Sequence, residues 1–298
     1  MPTTINENAK IKKIEEVYEV DIDMLESFKN HPYGIREDEK YIETRDSIKE
    51  IGVTTPLIIR PKGKDKFEII SGHRRKDICE KLKISKVPCI IRNLDNDSAT
   101  IQMVDSNLQR DTILPSEKAK AYQMKYEALK RQGKRNDLTS SQVGTKLRAD
   151  EVMAQETGES RNQVQRWIHL NKLIPQIMDM IDGGEIKFNP AVEISYLTEK
   201  EQIDLLETME SEERTPSTSQ AQRMKELSKQ GLLDMDTIFD IMTEQKGNEK
   251  EVIKFELDDI QQYFPNGYTI KKIMETIEKL LQQYFDNWKK KQKDRDDR

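Results

Sequence analysis

Phe67-Glu68-Ile69-Ile70-Ser71-Gly72-His73-Arg74-Arg75 is the stretch on which the fold turns. The apolar run predicts a strand, Gly72 a turn, and His73 onward a helix that opens with two arginines. Such a junction suits an anion. Glycine lets backbone N–H groups come close, the helix N-terminus adds partial positive charge, and guanidinium groups clamp phosphate oxygens. Taken alone, Gly-His-Arg-Arg fits a surface turn better than an anion site, so its meaning depends on its surroundings.

Working outward, the pattern Ile42, Arg45, Ile48, Ile51 predicts an amphipathic helix over Glu39–Ile51 that Gly52 stops. Gly52-Val53-Thr54-Thr55-Pro56-Leu57-Ile58-Ile59-Arg60-Pro61 predicts a turn and then a buried strand between prolines, and Lys62–Asp65 a turn. Val87–Arg92 predicts a third strand, and Val17–Ile22 a short edge strand ahead of the turn His31–Gly34. Ile101, Val104 and Leu108 share a face of a helix over Asp97–Arg110. Strands alternating with helices make a small α/β domain.

Beyond it, Pro115 restarts a helix striped by Ala119, Tyr122, Tyr126 and Leu129. Residues 131–149 are expected to be a basic loop. Helical segments follow over Asp150–Leu173 and Ile177–Leu206, the latter broken at Gly183-Gly184 and Pro190. Ser211–Ser219 is expected as a loop, Ala221–Lys246 as helix, Val252–Phe255 as a short strand and Pro265–Gly267 as a turn. A last helix carries Ile270, Ile277 and Tyr284 seven apart, and Met274, Leu281 and Trp288 likewise. That spacing fits a dimer seam or packing within the chain.

The 298 residues suffice for about two domains. No apolar run reaches the ~18 residues of a membrane span, and Met1–Lys13 lacks a signal-peptide core, so no membrane association is expected. Cys79 and Cys89 suggest no disulfide framework, which favours a reducing, cytoplasmic compartment. With His31, His73 and His169 they show no metal-ligand spacing. The net charge is −5, yet Lys118–Lys172 holds 12 Lys/Arg against 6 Asp/Glu. A basic middle in an acidic chain marks a polyanion partner.

Within that middle, Asp150–Trp167 has the layout of a helix-turn-helix, set within 150–171. Ala154 is small where two helices touch, Gly158 suits the turn, and Ser160 can cap the second helix. Val164, Trp167 and Ile168 face inward. Ser160, Arg161, Asn162, Gln163, Gln165, Arg166 and His169 are then the candidate DNA contacts, being side chains that reach base edges and phosphates. An ordinary helical hairpin would share the same small residues.

Three segments in order, Gly52–Ile59, Ile70–Arg75 and Asn107–Arg110 with the helix-turn-helix behind them, closely resemble the ParB family of bacterial partition proteins. The resemblance covers roughly residues 35–200. It implies a small mixed α/β ParB/sulfiredoxin-like domain over 35–114 and an all-helical domain with the helix-turn-helix over 115–208; an arm over 1–34 and a mainly helical region over 209–298, whose last helix offers the dimer seam, complete the α+β chain expected from the residues. It also implies CTP with Mg as cofactor, a palindromic site on double-stranded DNA, a ParA-type ATPase partner, a homodimer, and a nucleoid- or plasmid-associated location. Thr55 and Pro56, with Gly72, His73, Arg74 and Arg75, map onto its nucleotide-binding motifs. Ser106, Asn107, Gln109 and Arg110 map onto the second phosphate-facing motif, with Asn107 toward Mg.

Two positions depart from the family. His73 and Ser106 each stand where it has glutamate, and serine cannot replace a metal-holding carboxylate. Nucleotide binding with at most a weak CTPase activity is therefore expected, and no catalytic residue is assigned. A regulator or adaptor of a mobile element on the same scaffold is the alternative. A sulfiredoxin-like enzyme would need a cysteine where Gly72 stands, and a serine-kinase-like enzyme would leave the helix-turn-helix unexplained.

Overall fold

The structure, a computed structural model, describes residues 15–108, 113–139, 148–244, 263–265 and 267–296. It divides into two compact units at Thr243/Glu244. In the first, five strands form a sheet of order β1-β5-β3-β4-β2: β1 Val17–Asp21, β2 Leu25–Glu26, β3 Leu57–Pro61, β4 Phe67–Ser71 and β5 Lys86–Ile91. β3 lies centrally, antiparallel to β4 with Ile59 opposite Ile69, and parallel to β5 with Leu57 opposite Cys89. β1 runs antiparallel to β5, and β2 parallel to β4. Val17–Asp21 and Leu25–Glu26, within the stretch expected as an arm, are thus part of the sheet. Their short apolar positions gain partners only once β5 and β4 are in place.

The alternation of β4 sends neighbouring residues to opposite faces. Ile69 packs with Leu57, Cys79 and Cys89 under α1 (Glu39–Ile51) and α2 (His73–Lys81). Ile70 packs with Phe28, Met103 and Val104 under α3 (Asn96–Leu108) and α4 (Pro115–Thr139). Glu68, buried on β4, stays charged because Arg60 donates to it and Lys62 lies 3.3 Å away. Burial alone would raise its pKa, but these partners hold it below the usual carboxylate value.

The 25-residue α4 spans ~37 Å at 1.5 Å per residue. It begins at Pro115, and Asp182 accepts from Ser116 N at 2.9 Å to satisfy the first turn. The helix runs through 131–139, which the polar composition had suggested as loop. Packing decided against composition there: Arg131 reaches Asp97 on α3 at 2.8 Å, and Gln132 reaches Ser98. Residues 140–147 lie outside the described ones.

α5 (Ala149–Thr157), a turn through Gly158 and α6 (Arg161–His169) lean on α4, where Tyr122, Met153 and Val164 form a small core. A second core joins α7 (Pro175–Asp182), α8 (Phe188–Ile194), α9 (Glu199–Glu212), α10 (Thr218–Lys229) and α11 (Met235–Thr243). Pro190 falls in the first turn of α8 and does not break it, since a missing N–H costs nothing there. Because α9–α11 complete this core, the compact unit extends past residue 208 to Thr243. The expected strand at Val252–Phe255 lies outside the described residues. In the second unit, α12 (Ile270–Asp296) buries Ile273 and exposes Ile270, Met274, Leu281 and Tyr284.

Candidate functional site

The Gly72 junction has an open helix start. Gly72 sits at φ 110°, no side chain caps α2, and its first turn carries no acidic residue. Arg74 lies half-buried beside that start, and its Nη2 donates to Asp38 Oδ2 at 2.9 Å. Asp38 also accepts from Tyr41 N at 2.8 Å and so caps α1. One carboxylate therefore orients the arginine and starts the neighbouring helix, which keeps the guanidinium in place before any anion arrives. The Asp38 pKa is held below the ordinary value: burial opposes this, while the Tyr41 N–H and Arg74 lower it.

Arg75 takes a different place. Its Nη1 donates to the carbonyls of Thr55 and Pro56, the latter at 3.0 Å, from beneath the loop that leads into β3. Burial lowers its pKa. It holds the Thr55-Pro56 turn in place and does not stand beside Arg74 as a second clamp. His73 turns inward: its Nε2 accepts from Phe28 N at 3.2 Å, and its ring lies 3.8 Å from His31. A glutamate at this position would bury a charge, so histidine here is a packing choice.

Ser106 is exposed and its hydroxyl donates to Met103 O at 2.9 Å; buried Asn107 donates to the same carbonyl at 2.7 Å. Gln109 and Arg110 lie outside the described residues. Asp105, one position from Ser106, is engaged by Lys125 of α4. It is therefore not a stand-in for the missing glutamate. Among the described residues no group of three or more His, Cys, Asp or Glu could hold a metal. Cys79 and Cys89 are fully buried, and burial pushes the Cys89 thiol up to about 12. Neither is a nucleophile.

The second candidate surface is the outer face of α6. Gly158, at φ 72°, closes α5 by donating to Ala154 O at 3.0 Å. Ser160 Oγ accepts from Gln163 N at 3.2 Å and caps α6. Val164, Trp167 and Ile168 face α4 and α5. Trp167 packs 4.4 Å from Phe188 under the Lys118 ammonium, as a core residue. Arg161 and Asn162 are exposed, and Gln165 and Arg166 half-exposed, on the opposite face. At about 100° per residue, Arg161 and Arg166 lie ~140° apart with Asn162 and Gln165 between them. Glu151 holds Arg161 at 3.0 Å, while Asn189 Oδ1 accepts from Arg166 at 2.6 Å over the Phe188 ring.

Asp38, Glu151 and Asn189 were missed as supports of these arginines. A helix-capping aspartate before Glu39 was the one local signal available for Asp38; Asn189 lies 23 residues from Arg166 and leaves none.

His169 does not join the exposed face. Its Nδ1 lies 2.7 Å from Ser195 Oγ, and its ring stacks on Tyr196 at 3.8 Å. Burial, then Lys172 and Lys225, lowers its pKa to about 4. A histidine pKa depressed on folding favours the neutral form. Its contribution is complete above the unfolded value near 6.5 and is lost as pH falls toward 4. Ring NMR of His169 is expected to titrate near 4, and His169→Asn to reduce the loss of urea resistance between pH 6.5 and 5. A midpoint near 6.5 in the folded protein rejects this placement.

Residues 6–108 match the family model described as the ParB N-terminal domain. A nucleoid occlusion protein of Listeria innocua is 28% identical over 198 residues, covering 66% of this chain and 64% of that relative, a little under two thirds of its length. A probable chromosome-partitioning protein ParB of Neisseria meningitidis serogroup B is 27% identical over 224 residues, covering 72% of each. The crystal structure of C-terminally truncated ParB from Caulobacter crescentus complexed to the centromeric parS site aligns with TM-score 0.41 and 19% identity, covering 76% of this chain and all of that one. Residues 6–108, which hold the mixed sheet and the glycine-led turn into α2, are thus similar to the ParB N-terminal domain.

Proposed function

We propose that this chain is a DNA-binding protein of chromosome or plasmid partition, or of nucleoid occlusion. In this reading α5, the Gly158 turn and α6 form a helix-turn-helix that engages a palindromic duplex, and the Gly72 turn takes CTP. One observation carries it: two amides flanked by two oriented arginines on the face of α6 turned away from its own core. A plain helical hairpin has no need of that arrangement. Arginine, asparagine and glutamine there supply phosphate contacts and base-edge readout together.

CTP is the nucleotide that the motif resemblance implies. The uncapped start of α2 and Arg74 fit its phosphates; Thr55 and Pro56, held by Arg75, form the adjoining wall. The residues fit a metal poorly. The Asn107 amide nitrogen is turned back onto its own helix, and Ser106 offers no charge, so no hydrolytic step is assigned. A homodimer through the exposed apolar positions of α12, and a ParA-type ATPase partner, belong to this proposal on the heptad spacing and the resemblance respectively. The nucleoid or plasmid location follows from DNA binding.

Titrating CTP, UTP, ATP and GTP, with and without palindromic duplex, tests it on wild type and Arg74→Ala. CTP-selective binding is expected, weakened about 10–100-fold in the variant, the worth of a charge-assisted hydrogen bond or two. DNA binding without any nucleotide leaves a regulator on the ParB scaffold.

A further inference from the structure

Asp150 stands in the first turn of α5, on the helix before the one that carries the candidate DNA contacts, and its side chain is 3% exposed. A carboxylate so buried persists only with donors around it. Three side chains supply them. Arg148 donates from Nε and Nη2 at 3.2 Å, Arg161 Nε of α6 lies 3.6 Å away, and Gln165 Nε2 donates to Oδ2 at 3.4 Å. Arg161 and Gln165 are four residues apart, hence neighbours on one face of α6, and Asp150 meets both.

A glutamine amide on a helix surface can present either end, since a half-turn of its last bond exchanges oxygen and nitrogen. A carboxylate only accepts, so Asp150 admits the Nε2 end and repels the Oε1 end. The Gln165 amide therefore keeps one orientation. Nε2 carries two hydrogens, and the one not given to Asp150 remains for a ligand beside Oε1. A donor and an acceptor side by side match the N7 acceptor and the N6 amino group of adenine. Guanine offers N7 and O6, two acceptors, and would set its O6 against Oε1.

We propose that Asp150 is a positioning residue for sequence readout: by fixing the Gln165 amide it makes α6 prefer adenine at the base pair that Gln165 meets. The inference rests on the DNA reading above and deepens it. Asp150 itself touches no base and acts only through Gln165. Arg148 and Arg161 offset its charge, so the carboxylate does not repel a nearby phosphate backbone. Both arginines are exposed, and water solvates them once the carboxylate is neutralised, so Asp150→Asn is expected to fold.

The test uses the full chain. Selection from duplexes with a randomised centre gives the preferred site of wild type, and Gln165→Ala identifies the base pair that depends on Gln165. At that pair wild type is expected to favour adenine over guanine about tenfold, within what one bidentate contact supplies. Asp150→Asn should bring this factor to within about threefold of unity, change the preference at other base pairs by no more than about twofold, and add nothing in a Gln165→Ala background. An unchanged factor, an equal loss at every base pair, or a guanine preference in wild type overturns the assignment. Side-chain amide NMR without DNA tests the contact itself, whether or not Asp150→Asn folds. In wild type one Gln165 Nε2 proton is expected downfield of its position in an exposed glutamine and slow to exchange, and both effects should be lost in Asp150→Asn. The shifts of an exposed glutamine in wild type overturn the assignment even where duplexes bind. The hydrogen-bonded signature without binding to any duplex instead removes the DNA reading, and the readout role with it.

Discussion

Gly72→Ala is expected to destabilise the amino-terminal domain by about 3–4 kcal/mol, read as a shift in the urea midpoint. Two costs add. At φ 110° an L-residue is strained by about 1–3 kcal/mol. The new Cβ would also stand 2.7 Å from Leu57 Cγ and 3.3 Å from Arg75 Nη2. Leu57 is fully buried on the central strand and cannot retreat without moving β3, so overpacking adds about 1–3 kcal/mol. Gly158→Ala supplies the contrast. Its φ of 72° is also left-handed, but nothing lies within 4 Å of the added atom, so only a backbone cost of about 1–2 kcal/mol is expected. Equal midpoints for the two variants would remove the claim that Gly72 is set by the close approach of Leu57. Because Leu57 follows Thr55-Pro56, the same displacement should loosen the Arg75 contacts and weaken nucleotide binding well beyond the loss of stability.

That contrast also shows what was legible in the residues. Glycine at a strand-to-helix junction announces a backbone requirement, and the apolar runs around it announce the strands; both are local signals, and the sheet, α1 and α2 formed where those signals stood. The turn between α5 and α6 was legible for the same reason, since Ala154, Gly158 and Val164 fall within eleven residues of chain. What was not legible depends on distant partners. Arg74 and Arg75 look alike in sequence, yet Asp38 claims one and the carbonyls of Thr55 and Pro56 claim the other. His169 has a place on the polar face of α6, but Ser195 and Tyr196, at the end of α8, cover it. Residues 131–139 have a loop-like composition that contacts to α3 override. Lys125 resembled any surface lysine on a striped helix, because its two carboxylates lie 20 and 31 residues away.

Arg161→Ala/Arg166→Ala is expected to weaken duplex binding by about 2–4 kcal/mol, roughly 30- to 1000-fold, to the same extent on cognate and unrelated sequences. In the proposed docking the two guanidinium groups flanking α6 meet phosphates, and each charge-assisted contact is worth about 1.5–3 kcal/mol before the partial compensation expected of neighbours. Binding by wild type, with about six phosphate contacts, should show a log–log salt slope near −5; removing two contacts should flatten it by about 1.8. Asn162→Ala/Gln165→Ala should do the opposite. In the proposed docking the amides between the arginines meet base edges, so their loss should lower the cognate preference by about 1–3 kcal/mol per contact and leave the salt slope unchanged. The structure also separates the two arginines. Arg166 is held by Asn189 on α8 and Arg161 by Glu151 on α5, so Asn189→Ala should affect binding only through Arg166. Its effect should vanish in an Arg166→Ala background and persist beside Arg161→Ala. If instead the arginine pair governs sequence preference and the amide pair governs the salt slope, α6 lies in the groove rotated from the orientation its buried face implies.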